Sequence, residues 1–204
     1  MASTPSTLTD FHSELAIDAS VLINVLGTGE SVAIIEALAR PIVMATPAYR
    51  EVRRDPFTGG DASFAIAKLE QRGLLMCCDL DTASTQHMVS LIGAAGSDAL
   101  DDGEAATIAL GARRGCCVVI DEKRGRRIAN SVPISAGVLG SIDLLSNACV
   151  VQALGEARFR DAILSAAKCA RMRFPIDCGT WVEELLGQAV AGELPGMRAY
   201  YRSK

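Results

Sequence analysis

The sequence predicts an α/β protein: a three-layer α/β/α sandwich with a central parallel sheet, plus a helical C-terminal extension. Three observations predict it. Short apolar runs alternate with helical patterns from residue 14 to about residue 135, which is how a parallel sheet covered on both faces is built. Half of the 204 residues are apolar but only 4% are aromatic, so the core must be aliphatic, as in strands buried on both faces. From residue 137 the pattern is helical.

The elements follow in order. MASTPSTLTD has neither a basic start nor an apolar stretch, so residues 1–13 read as a loose leader and not as a secretory signal. ELAID (14–18) is a short apolar run ending in an acid, taken as the first strand. SVLINVLG and ESVAIIEALA follow as helices started by Ser20 and Glu30. PIVMAT (41–46) is a buried strand, and Pro47 suits the first turn of the helix AYREVRRD. DPFTGG (55–60) is a loop by its Pro and Gly. DASFAIAKLEQRG is a helix, LLMCC (74–78) a third strand and TASTQHMVSLIGAAG a helix. GEAATIALGARRG is a helix with a basic end and a Gly stop, which complements the helix dipole. CCVVID (116–121) is the fourth strand, KRGRRIANS a short basic helix and VPIS (132–135) a short fifth strand. GVLGSIDLLSNAC, ARFRDAILSAAKCAR and TWVEELLGQAV are helices, and the tail AGELPGMRAYYRSK reads as mobile.

Composition excludes several classes. No apolar run reaches the ~18 residues of a membrane-spanning helix. The seven cysteines form no CxxC pair. Cys77–Cys78 and Cys116–Cys117 lie in strand-like runs, as small buried hydrophobes in a reducing cytoplasm would. His12 and His87 show no ligand spacing, so zinc is not expected. The net charge is −4, but its distribution matters more. Asp98, Asp101, Asp102 and Glu104 cluster without a base. Arg113, Arg114, Lys123, Arg124, Arg126 and Arg127 form a basic stretch. Arg50, Arg53 and Arg54 form another, and Arg158, Arg160, Lys168, Arg171 and Arg173 a third. Any one such group is ordinarily a solvated helix face.

Three features line up as chemistry. Asp18 ends the first strand, Asp121 ends the fourth, and Glu51 follows the second by one short helix. Ligands of open parallel sheets bind outside the carboxyl ends of the strands. The Asp101–Glu104 cluster opens the helix leading into the fourth strand and reaches the same rim. Carboxylates converging there either bind protons or hold a hard divalent cation. An oxygen-only set favours Mg²⁺ or Mn²⁺. Each acid also has a structural reading: Asp18 caps the next helix, and Asp101 with Glu104 has capping-box spacing.

AIDASVLIN (16–24), YREV (49–52), LDDGEAATIALGA (100–112) and VVIDEKRGRRIA (118–129) resemble the signatures of PIN-domain nucleases, in the family's order. The third motif, with the Val-Ile-Asp and arginines after it, is the most specific part. It is similar to a bacterial branch related to VapC-type toxins. The resemblance covers roughly residues 14–145, leaving 146–204 as a helical extension packed on the same domain. It implies metal-dependent endonucleolytic cleavage of RNA in the cytoplasm, with Mg²⁺ or Mn²⁺ as cofactor. By position, Asp18, Glu51, Glu104 and Asp121 match the family's four acids. Asp18, Glu104 and Asp121 are the expected metal ligands, with Asp101 an alternative or additional one. Ser20 falls where a hydroxyl often lies near the metal, and Glu122 is placed to hold water. Lys123, Arg124, Arg126 and Arg127 are positioned to hold RNA phosphates. The implied partners are an RNA substrate, an antitoxin protein and a second copy in a homodimer. The extension, absent from compact toxins, bears against the toxin role more than the nuclease role. Trp181, at helical spacing with Leu185, reads as core. Two other classes compete. One is a catalytically weak PIN module that binds RNA or a protein. The other is a phosphatase using Asp18 as nucleophile, which wants a second Asp where Ser20 stands.

Overall fold

The computed structural model describes residues 6–8, 14–93 and 99–204. Five short strands make one sheet: β1 (Leu15–Ile17), β2 (Ile42–Ala45), β3 (Leu75–Cys78), β4 (Cys117–Val119) and β5 (Val138–Leu139). Their order is β3-β2-β1-β4-β5, and every pairing is parallel. The chain starts in the middle, builds outward to β3, then returns to the other side of β1. The switch point between β1 and β4 is where the crossovers diverge and leave a crevice at the strand ends.

Period-two alternation divides the strands between two cores. Leu15, Ile17, Ile42, Met44, Cys117 and Val119 join one large cluster with Leu22 and Val25 of α1 (Ala19–Gly27) and Ile34 and Ile35 of α2 (Ser31–Leu38). Phe159 and Ile163 of α9 (Ala148–Cys169) close it from outside. On the opposite face Ala16, Val43 and Ala45 meet Ala106 and Leu110 of α6 (Asp102–Arg114). Small residues bring α6 close to the sheet, and a Cβ at Gly111 would run into Val118. That close seat fixes where the first turn of α6, with its acids, meets the strand ends. The remaining helices are α3 (Thr46–Glu51), α4 (Ser63–Gln71), α5 (Thr82–Ile92), α7 (Lys123–Ala129), α8 (Ser141–Leu145), α10 (Gly179–Leu186), α11 (Gln188–Glu193) and α12 (Arg198–Ser203).

Four expectations are corrected. The fifth strand is Val138–Leu139 and not residues 132–135. Pro133 offers no N–H to a ladder, whereas Val118 N–H and Ile120 N–H reach Gly137 O (3.1 Å) and Leu139 O (2.9 Å). Consequently the helix read from 137 begins only at Ser141. The tail is folded: Met197 is fully buried and Tyr200 nearly so, and Glu183 accepts from Tyr200 Oη (3.0 Å), Tyr201 Oη (2.8 Å) and Lys204 Nζ (2.9 Å). Two tyrosines sharing one carboxylate hold the tail. Finally, Cys77 is exposed and Met76 is 46% exposed, because β3 is the sheet edge and only part of it is covered. Cys116 and Cys117 are buried as expected.

Trp181 is buried against Phe159, with ring centroids 6.2 Å apart. The helices beyond residue 145 pack on α1 and α2 through α9. The leader is tied at Ser6–Leu8, while residues 1–5 and 9–13, including His12, lie outside the described residues. So do residues 94–96 of the expected fifth helix, and Asp98. Among the described residues no single helix is long and apolar enough to cross a membrane. The apolar pair α1 and α2 is bent by 116°, and its apolar side chains line the core.

Candidate active site

Asp18 extends β1 by one residue, its N–H bonded to Val119 O at 3.0 Å, and serves as N-cap of α1. Its Oδ2 accepts from Ser20 Oγ (2.7 Å) and Ser20 N–H (3.2 Å). The cap and the catalytic reading therefore share one residue, and Ser20 orients it. Asp18 is 6% exposed, and burial raises its pKa despite those bonds, with Asp101 adding to the rise.

Glu104 sits one turn into α6 and is 3% exposed. Neither carboxylate oxygen has a hydrogen-bond partner. Arg124 Nη2 approaches Oε2 only to 3.7 Å, beyond a real hydrogen bond. Burial, then the charges of Asp101, Glu122 and Asp18, pushes the carboxyl up to about 7. Asp101 is the N-cap of α6, with Oδ1 accepting from Glu104 N–H at 2.8 Å. Glu51 ends α3 and is exposed. Its carboxylate lies against Gly103, where a Cβ would stand 2.5 Å from Oε1. Burial raises its pKa, followed by repulsion from Asp101, Asp18 and Asp102. The charges of Asp101 and Asp18 thus bear on both Glu51 and Glu104.

Asp121 differs. It lies beyond β4, and three donors satisfy it: Ser141 N–H to Oδ1 (2.7 Å), Ser141 Oγ to Oδ2 (2.5 Å) and Asn24 Nδ2 to Oδ2 (2.8 Å). The residues reading missed Asn24 and Ser141 as site residues. Asn24 was legible in principle: it is a polar side chain, 7% exposed, on the face of α1 that otherwise buries Val21, Leu22 and Val25. Ser141 had no such signal, since the segment was read as helix.

The basic residues separate into two kinds. Arg113, Arg114 and Arg158 pair with Asp81 (2.8 Å), Glu14 (2.6 Å) and Glu30 (2.7 Å), as solvated faces do. Lys123, Arg124, Arg126 and Arg127 all lie on α7, directly after Asp121. Arg124 leans toward Glu104, and Arg126 Nη1 lies near Gly140, which also neighbours Asp121. Gly125 lets α7 approach, since a Cβ there would stand 2.7 Å from Glu104 Oε1. A surface cavity of about 420 Å³ lined by Tyr49, Arg50, Arg53 and Asp61 opens beside Glu51, but none of the four acids lines it.

Among the described residues, no three His, Cys, Asp or Glu side chains are already gathered to hold a metal ion. The donor set nonetheless suits one. Glu104 offers two buried oxygens with no partner, in a rim whose charges repel. Such a carboxylate needs a proton or a cation.

A parallel α/β sheet with acids at its switch point and a basic helix beside them is an arrangement suited to hydrolase chemistry of nuclease type. The family model DUF3368, described as a PIN domain, matches residues 14–173, and the chain belongs to the PIN-domain family. The match extends past residue 145 through α9. PIN domains have a nuclease fold, and PIN nucleases generally use divalent metals. No curated protein and no solved structure matches the chain.

Proposed function

We propose that the chain is an endoribonuclease that hydrolyses RNA phosphodiester bonds with Mg²⁺ or Mn²⁺. The observation that carries this reading is Glu104: a buried carboxylate without hydrogen bonds, facing Asp18 and Asp101 and flanked by the basic helix α7. Asp18, Glu104 and Asp121 would hold the ion, with Asp101 Oδ2 in reserve. The ion supplies charge neutralisation and Lewis-acid activation of water. Ser20 orients Asp18, while Asn24 and Ser141 orient Asp121. Glu51 would accept a proton from water at the rim, and Glu122 would hold that water. Lys123 and Arg126 would bind phosphates, which offsets the negative field of the acids.

We place the activity in the cytoplasm, where seven cysteines without a disulfide are at home. The role of toxin, an antitoxin partner and a homodimer rest on the resemblance to VapC-type proteins. A small adjacent gene for a DNA-binding protein would favour them. A second reading, a PIN module that binds RNA without cutting it, draws on Asp121, whose oxygens are already occupied by Asn24 and Ser141. One experiment separates the two: incubation of single-stranded RNA with Mn²⁺, with EDTA, and with Asp18→Asn. Cleavage with Mn²⁺ alone, lost in the other two, supports the nuclease. Binding without cleavage at any Mn²⁺ concentration supports the module.

A further inference from the structure

Asp121 is held by a chain of contacts that ends in the N-terminal segment. Asp143 on α8 is 6% exposed, and its two oxygens are used in opposite directions. Oδ2 accepts from Gly140 N–H at 2.9 Å. Oδ1 accepts from Thr7 N–H at 2.9 Å and Thr7 Oγ1 at 2.6 Å. Ser6 Oγ donates to Asp143 O at 2.6 Å, and Asn147 Nδ2 donates to Leu8 O at 3.4 Å. Leu8 packs against the main core. The neighbouring amide, Ser141 N–H, serves Asp121. Two successive amides, those of Gly140 and Ser141, therefore carry two carboxylates, one of them anchored to the leader.

The geometry points to residues 6–8 as a strap that positions Asp121 through Asp143, Gly140 and Ser141. Without Thr7, Asp143 Oδ1 would be a buried carboxylate oxygen lacking donors, which strongly disfavours that arrangement. Asp143 would then turn outward and release Gly140. Ser141 supplies two of the three donors to Asp121, so its freedom becomes the freedom of Asp121. Thr7 and Asp143 are positioning residues and touch no substrate. The inference rests on the nuclease reading of Asp121.

The test uses the full chain as wild type, Thr7→Val and Thr7→Ser. Valine keeps the shape and the N–H but removes the hydroxyl, so the fold should survive. Amide hydrogen exchange is followed at Gly140, Ser141 and, as a reference in the sheet, Asp18. RNA cleavage with Mn²⁺ gives kcat and KM separately. In Thr7→Val, protection at Gly140 and Ser141 should fall about tenfold, the worth of one hydrogen bond to a charged group. Protection at Asp18 should hold. The kcat should fall by a similar factor with KM unchanged, and Thr7→Ser should restore both. Unchanged exchange at Ser141, equal loss across the sheet, or looser Ser141 with undiminished kcat would each overturn the strap. If the wild type cuts no RNA, the nuclease reading fails, and exchange at Ser141 alone decides whether the strap exists.

Discussion

Glu104→Gln should flatten the pH dependence of stability in the metal-free protein. Two effects compete at Glu104. The backbone N–H of Asp101, and Arg124 at 3.7 Å, favour the charged form, while burial and three neighbouring carboxylates oppose it. The second wins, because the carboxyl rises from 4.5 to about 7. The folded protein therefore holds this proton more tightly than the unfolded chain. The stability that goes with it is fully present below pH 4.5 and is lost as pH rises through about 7. At about 1.4 kcal/mol per tenfold difference in proton affinity, the loss is ~3 kcal/mol, or roughly 6–12 °C in melting temperature for a chain of this size. The assay is thermal or urea denaturation in EDTA from pH 5 to pH 8.5. The slope is the quantity to compare, not absolute stability. A buried Gln amide without partners carries its own constant penalty of ~1–3 kcal/mol, which cancels from the slope. The wild type should lose stability across this window by the stated amount more than Glu104→Gln. Parallel profiles would show that Glu104 is charged at no cost, and the account of the rim would fail.

The remaining expectations are more direct. Asp18→Asn keeps an N-cap, since Asn caps as well as Asp, and removes one of the repelling charges. It should raise the melting temperature in EDTA, abolish cleavage and shrink the Mn²⁺-induced shift, and equal shifts in both forms would remove Asp18 from the ligand set. Glu104→Gln should abolish cleavage, while Asp101→Asn should cost ~1 kcal/mol or less and spare activity, because the cap survives. The reverse order in an RNA-cleavage assay would misplace the third acid. Arg126→Ala should weaken RNA binding alike for all sequences and lower the log–log salt slope by roughly 0.7 for single strands, measured by fluorescence titration; an unchanged slope would make Arg126 a solvated face.

The sheet was legible because its strands write themselves as apolar runs: residues 41–46, 74–78 and 116–121 enclose β2, β3 and β4, though only β2 and β4 are buried throughout. The positions of the four proposed acids were legible: Asp18 and Asp121 after strands, Glu104 in the first turn of a helix and Glu51 at the end of the short helix after β2. What escaped was set by tertiary contact. Val138–Leu139 is too short to show a period, and only its ladder to β4 makes it a strand. Asp121's partners come from positions 24 and 141, far from it in sequence. The tail reads as mobile because its anchors, Tyr200, Tyr201 and Lys204, converge on Glu183 only after folding. The exposure of Cys77 follows from strand order, which no local pattern encodes.

The acids at the rim are not equivalent, and the difference has a chemical consequence. Asp121 accepts three hydrogen bonds and Asp18 accepts two from Ser20, so for both of these the protein supplies part of the compensation for burial. Glu104 receives none. Under the proposed metal mechanism, an ion would act most strongly at Glu104, where binding would release the proton of a carboxyl pushed up to about 7. Binding coupled to proton release weakens as pH falls. Below about 7 the affinity for Mn²⁺ should drop close to tenfold per pH unit on account of this one residue. Arg124 Nη2 is shared at 3.7 Å between Glu104 and Glu122, so it makes no close ion pair that would hold Glu104 charged. Isothermal titration in two buffers of different ionisation enthalpy reads the proton count directly. Release of nearly one proton per ion at pH 6, vanishing in Glu104→Gln, is the expected result, and no buffer dependence in the wild type would refute it.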